Sequence, residues 1–152
     1  LQTAINNLGY LIIAGHTAAR KLNSFATIPI SSLAMSLATF VSQNKGADQG
    51  GRIREAVRYA NIISVVWGAI VTVILIFTAP MLMKVLSGSS ESAVIDNGTR
   101  YLIINAPFYA VLGILLNLRN SLQGIGEKLL PLVSSVIEFF GKILFVILFI
   151  MY

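Results

Sequence analysis

The chain has 152 residues, of which 56% are hydrophobic and 11% are charged, and its mean hydropathy is +0.81. Soluble domains carry about 25% charged residues, so this composition excludes an ordinary soluble enzyme, a disordered chain and a secreted disulfide scaffold. The absence of cysteine excludes disulfides and thiolate metal sites, and the single histidine, His16, leaves no zinc constellation. The composition is that of an integral membrane protein.

The net charge of +5 does not indicate a nucleic-acid partner. The basic residues lie in short breaks between long apolar runs, where the cytoplasmic loops of membrane proteins carry them. A nucleic-acid domain needs basic residues along a soluble face. We therefore expect the lipid bilayer as a partner and no nucleic acid.

Four apolar stretches are long enough to cross a bilayer, which takes about 20 helical residues. In chain order they are residues 12–44, 59–83, 101–118 and 129–152, and residues 1–11 are expected to end a preceding helix. The stretches lack the alternation of barrel strands and are longer than such strands, which take about 10 residues. Because backbone groups in lipid must be satisfied internally, we predict an all-α, polytopic helix bundle.

The breaks between the stretches predict the orientation and the extent of the chain. The positive-inside rule places residues 45–58 and 119–128 in the cytoplasm and 84–100 outside. Arg20 and Lys21 then lie near the outer face, against that rule, where their long stems reach the interface. The chain begins without methionine and ends inside an apolar run, so we expect a fragment of a longer multi-pass protein.

Glu138 and Lys142 are the candidate coupling or gating residues. They are four residues apart on the last stretch and therefore share one helix face. Glu138 lies roughly 14 Å along the helix from Leu129, and an ionisable group at such a depth is a functional-site hypothesis. The alternative is a structural ion pair that neutralises itself, and burial alone does not separate the two.

Polar and helix-breaking residues within the spans suggest a cavity. Proline frees a backbone carbonyl, and transporters use broken helices at their binding sites, although proline is common in membrane helices generally. The alternative for the small and polar residues of the first stretch is close helix packing. The candidate cavity-lining residues are Asn105, Pro107, Tyr109 and Asn117 on the third stretch, and Met35 and Ser36 on the first. The residues offer no catalytic or phosphate-binding constellation, so an enzyme is disfavoured.

Two blocks of residues resemble the multidrug and toxic compound extrusion (MATE) transporters. The first block is IAGHTAARK at 13–21, then Pro29, then FVSQNKGA at 40–47, which holds Gln43, Asn44 and Gly46. The second is LRNSLQGIG at 118–126, with Gly124 and Gly126, followed by Pro131 and by IEFFGK at 137–142. Lys142 stands where the family has arginine, which keeps the charge but loses a planar fork of donors.

The resemblance implies a fold of two six-helix lobes, of which this chain matches the end of the seventh helix and helices eight to eleven. The N-terminal lobe is then missing from this chain. It also implies export of cationic or amphipathic small molecules across the cytoplasmic membrane in exchange for Na⁺ or H⁺, with no other cofactor. Some members carry an acid on the tenth helix, and the matching third stretch here has none. Coupling then rests on the absent lobe or on Glu138.

Two other functions stay open at this point. One is a flippase of the same superfamily for lipids or polysaccharides. The other is a small four-span scaffold or assembly protein, in which Glu138 and Lys142 set the register between helices.

Overall fold

The computed structural model describes residues 10–149 except Ser89, and side chains from residue 13 to residue 144 with the same exception. The described residues form five α-helices and no strand. These are α1 (Tyr10–Gly46), α2 (Gly50–Ser87), α3 (Ser92–Asn105), α4 (Phe108–Gly124) and α5 (Leu129–Phe149). The predicted all-α membrane bundle is therefore confirmed. Residues 1–11 are predicted to end a preceding helix. Of these, residues 1–9 lie outside the described residues, and residues 10 and 11 belong to α1.

Helices α1 and α2 are long and apolar enough to span a membrane. Their spanning windows have mean hydropathies of 1.5 and 2.6. With 37 and 38 residues, both helices are roughly 55 Å long at helical rise, well beyond a hydrocarbon core of about 30 Å. Both helices therefore extend past the hydrocarbon core of a bilayer.

Helices α3 and α4 together qualify as one further span, bent by 51° at the break between them. The predicted third stretch, 101–118, is thus two helices, and the bend falls at Ala106 and Pro107, where proline was expected to kink the chain. Helix α5 occupies the fourth predicted stretch, whose last residues, 150–152, lie outside the described range.

The predicted outer break at residues 84–100 is mostly helical, which corrects the sequence interpretation. Helix α2 continues to Ser87, where Gly88 ends it with a φ of 63°, and α3 begins at Ser92. The buried residues of α3 recur every four positions, at Val94, Gly98 and Leu102. This spacing puts them on one helix face, so the polar residues between them face outward without breaking the helix.

Glycines allow helices α1 to α4 to pack closely. A Cβ built on Gly68 would lie 2.7 Å from the backbone nitrogen of Ala110, and one on Gly113 would lie 2.5 Å from Ser64 Cβ. Both contacts join α2 to α4. Small residues that bring backbones together are typical of helix packing in membranes, where apolar burial between helices gives little driving force.

Two turns lie at the same end of this bundle. Helix α1 ends at Gly46, and the end of α4 lies against it, since a Cβ on Gly124 would approach the carbonyl oxygen of Ala38 to 2.6 Å. The turn at 47–49 and the turn at 125–128 therefore both belong to the end predicted to be cytoplasmic. Helix α5 packs chiefly on α4 and leaves most of its described apolar side chains exposed.

Candidate functional site

A hydrogen bond between side chains joins α4 to α1 just after the break. The hydroxyl of Tyr109 donates to Asn23 Oδ1 over 2.8 Å. Tyr109 is only 3% exposed, so its ring belongs to the core while its polar end finds a partner on α1. This is the usual way in which a buried tyrosine is accommodated.

A second polar cluster lies deeper, between α4 and α2. The fully buried Asn117 donates through Nδ2 to Ser64 Oγ at 3.0 Å and to Asn61 Oδ1 at 3.2 Å. Its own backbone carbonyl accepts a hydrogen bond of 2.6 Å from Ser121 Oγ. Asn117 Oδ1 has no hydrogen-bond partner among the described residues. Ser64 also borders a cavity of about 110 Å³ with Pro29 and other apolar neighbours.

The break between α3 and α4 is held by a threonine of α2. Pro107 has no N–H group, so the helical bond pattern is interrupted beside it. The single hydroxyl proton of Thr72 lies between the carbonyl oxygens of Ala106, at 2.9 Å, and of Gly68, at 2.7 Å. A side-chain donor from a neighbouring helix thus contacts the backbone at the break, where the Ala106 carbonyl also accepts the Tyr109 N–H at 3.2 Å.

The proline inside α1 has a similar neighbour. Pro29 interrupts the bond pattern of α1, and Trp67 Nε1 of α2 donates to the carbonyl of Ala26 over 3.0 Å. Each of these two prolines therefore has a side-chain donor from α2 bonded to a carbonyl close before it. These contacts tie both irregular segments to the same helix.

A group of charged side chains lies between α4 and α5. Glu138 Oε1 is 2.5 Å from Lys142 Nζ, and Glu138 Oε2 is 4.0 Å from Arg119 Nη1. Arg119 also donates from Nη2 to the hydroxyl of Ser135. The side chain of Glu138 is about half exposed, and that of Lys142 is mostly exposed. The predicted pair therefore forms at the surface of the described bundle.

The candidate cavity-lining residues lie in separate places. Tyr109 and Asn117 are on the buried face of α4, whereas Asn105 ends α3 and donates within its own helix to the carbonyl of Tyr101 at 2.7 Å. Pro107 is exposed at the break, and Met35 and Ser36 face away from the bundle core, Met35 with 69% of its surface exposed. Tyr109 and Asn117 are thus the two of this set that lie in the interior.

The motif residues mostly shape the ends of α1 and α4. Asn44 is buried and donates to the carbonyl of Phe40 at 2.8 Å, while its own carbonyl accepts the Gln49 N–H at 2.8 Å. Gln43 and Gly46 are exposed around it, and Pro29 is exposed on α1. At the end of α4, Gly126 has a φ of 90°, which favours glycine. The motifs therefore define where the helices end and turn.

Sequence analysis missed several of the residues that complete these contacts. Asn61 and Ser64 lie in the second apolar stretch, 59–83, where an asparagine is the available signal of a polar contact. Arg119 was assigned to a cytoplasmic break, but it lies within α4 and reaches toward α5. The others are Asn23, Trp67 and Thr72, whose partners are 34 to 86 residues away in the chain.

Comparison with known proteins identifies the family. The MatE family model matches residues 2–148. The chain belongs to the MatE family. Members of this family are membrane transporters rather than enzymes, so the resemblance noted in the sequence is confirmed and a four-span scaffold is disfavoured. No curated protein and no solved structure matches the chain.

Proposed function

We propose that this MatE-family protein expels cationic or amphipathic small molecules across the cytoplasmic membrane in exchange for Na⁺ or H⁺. Its C-terminal lobe would contain this chain, and an N-terminal lobe would complete the substrate cleft. The proposal rests on family membership and on one observation about charge. Five of the six acidic residues lie outside the predicted spans, and Glu138 is the one acid inside a span.

The neighbours of Glu138 support a role in coupling. The carboxylate lies between two cations, with Lys142 on the same helix and Arg119 on α4. Protonation of Glu138, or a cation that takes its oxygens, removes the negative charge and leaves two positive groups close together. Their repulsion then favours separation of α5 from α4, which links occupancy by the coupling ion to helix movement.

The experiment measures transport by the intact protein in proteoliposomes. Export of a fluorescent organic cation is followed under imposed Na⁺ or pH gradients for the wild type and for Glu138→Gln. The glutamine keeps the size of the side chain but cannot be ionised. We expect lower export by the variant and loss of its dependence on the ion gradient.

Glu127→Gln is the matched control, because it removes one acid from the turn next to α5 and leaves the span unchanged. We expect it to transport like the wild type. Wild-type export by Glu138→Gln at equal protein level would overturn the coupling role. Translocation of a fluorescent lipid without export of any organic cation would overturn the substrate assignment and favour the flippase.

A further inference from the structure

An open groove of about 400 Å³ lies between the end of α4 and the start of α5. Its lining residues are Arg119, Gln123, Lys128, Pro131, Leu132 and Ser135. Two of these side chains are cationic, two are polar and uncharged, and the set includes no acid. The groove therefore combines positive charge with hydrogen-bond donors.

The position of the groove along the helices matches a headgroup region. Lys128 directly precedes α5, and Arg119 is five residues before the end of α4. Ser135 is six residues into α5, which corresponds to roughly 9 Å at helical rise. The groove thus runs from the turn to about two helical turns into the span, at the end predicted to be cytoplasmic.

Arg119 is held in place with donors to spare. Its Nη2 group donates to the hydroxyl of Ser135, which in turn donates to the Pro131 carbonyl at 2.9 Å. A guanidinium has five N–H donors, so this bond leaves others for a ligand. The Glu138 carboxylate is 4.0 Å from Arg119 but 2.5 Å from Lys142. Its negative charge is therefore neutralised mainly by the lysine.

The apolar wall of the groove continues along α5. Leu132 lines the groove and is exposed, and Val136, also exposed, follows four residues later on the same helix face. A soluble anion would make no use of this surface. A molecule with a phosphate at one end and a hydrocarbon chain at the other would contact both parts.

We propose that this groove binds the phosphate of an anionic phospholipid, with Arg119 and Lys128 on the headgroup and an acyl chain along Leu132 and Val136. Basic pockets between helices on the cytoplasmic side are suited to such headgroups, because that leaflet carries anionic lipids. The site shares Arg119 with the proposed coupling group but binds a lipid rather than the transported molecule, and its occupation would join α4 to α5 through that lipid.

The test uses the intact protein in nanodiscs that contain phosphatidylcholine with or without phosphatidylglycerol. Native mass spectrometry measures which lipid stays bound after the protein is released. We expect preferential retention of phosphatidylglycerol, weakened about five-fold by Lys128→Gln, since each basic residue contributes about 1 kcal/mol of attraction to anionic lipid. Lys128→Glu should abolish the preference.

Lys128 lies in the turn and is exposed, so its variants leave the helix contacts unchanged, whereas Arg119→Gln also removes the bond to Ser135. Arg54→Gln is the matched control, because it removes an exposed cation at the same end of the bundle but outside the groove. Unchanged retention in Lys128→Gln, or an equal loss in Arg54→Gln, would overturn the proposal.

A second arm separates lipid from soluble phosphate. Inorganic phosphate is added to the protein in detergent without phosphatidylglycerol, and thermal unfolding is followed. We expect no stabilisation by phosphate and a clear stabilisation by phosphatidylglycerol that Lys128→Gln reduces. Equal stabilisation by inorganic phosphate, lost in Lys128→Gln, would overturn the lipid assignment in favour of a soluble anion.

Discussion

Tyr109 and Asn23 are 86 residues apart in the chain, and a 2.8 Å hydrogen bond between their side chains joins α4 to α1. Tyr109 is the second residue of α4, so this bond fixes the chain directly after its 51° bend. The bend is thus held from two sides, by Asn23 of α1 and by Thr72 of α2.

A double-mutant cycle with Tyr109→Phe and Asn23→Ala measures the strength of this bond. We expect the two changes to couple by about 0.6 kcal/mol in the free energy of unfolding, the average for hydrogen bonds between membrane helices. Unfolding in detergent is followed by circular dichroism. Tyr59→Phe is the control, since Tyr59 is exposed on α2. Strictly additive effects would show that the bond contributes nothing.

Gly68→Ala should destabilise the bundle by about 1–3 kcal/mol, the usual cost of overpacking. The new methyl group would meet backbone atoms of Ala110, at 2.7 Å from N and 2.9 Å from Cα, and a backbone cannot move aside as a side chain does. Gly141→Ala is the matched control, because no atom of the described residues lies within 4 Å of its Cβ position on α5. The measurement is the midpoint of unfolding of both variants. Equal midpoints would contradict the close contact between Gly68 and Ala110.

Thr72→Val keeps the shape of the side chain but removes the hydroxyl beside Ala106. We expect the free energy of unfolding in detergent to fall by about 1 kcal/mol, the typical net contribution of a hydrogen bond. Thr78→Val is the control, because among the described residues the Thr78 hydroxyl bonds only the Ile74 carbonyl of its own helix, at 2.7 Å. The same change in both variants would mean that the contact with Ala106 is without effect.

Asn117→Ala should cost about 1–3 kcal/mol, since it leaves the oxygens of Asn61 and Ser64 without their buried donor. Asn97→Ala is the comparison, because Asn97 is exposed and, in the part of the chain that the structure describes, donates only to the Ala93 carbonyl of α3. Denaturant titration in detergent gives both free energies of unfolding. A smaller loss for Asn117→Ala than for Asn97→Ala would contradict the role of the buried cluster.

The membrane bundle and its family could be predicted from the sequence because they depend on local properties. Apolar runs of bilayer length predict helices wherever they occur. The FVSQNKGA block at 40–47 could be recognised as similar to the family without knowing its contacts. The bend could also be anticipated, since Pro107 removes one backbone donor whatever surrounds it. That residues 84–100 are mostly helical could not be predicted, because hydropathy falls at the membrane surface before the helix itself ends.

The partners within the interior depend on which helix faces meet, and one sequence does not specify that. Asn117 could be identified as a polar residue in a span, but its contact with Asn61 follows from the close approach at Gly113 and Gly68. Arg119 was misplaced for a related reason. A charged residue near a helix end looks like part of a loop until a partner such as Ser135 is seen on the next helix.

The length of α2 has a mechanical consequence. A helix of 38 residues is a rod of roughly 57 Å, so a rotation of about 5° around one end moves the other end by about 5 Å. A small adjustment at the turn with α1 would thus become a displacement at the far end comparable to the width of a small organic molecule. Leverage of this kind would turn a modest local change into a large movement without any helix having to unfold.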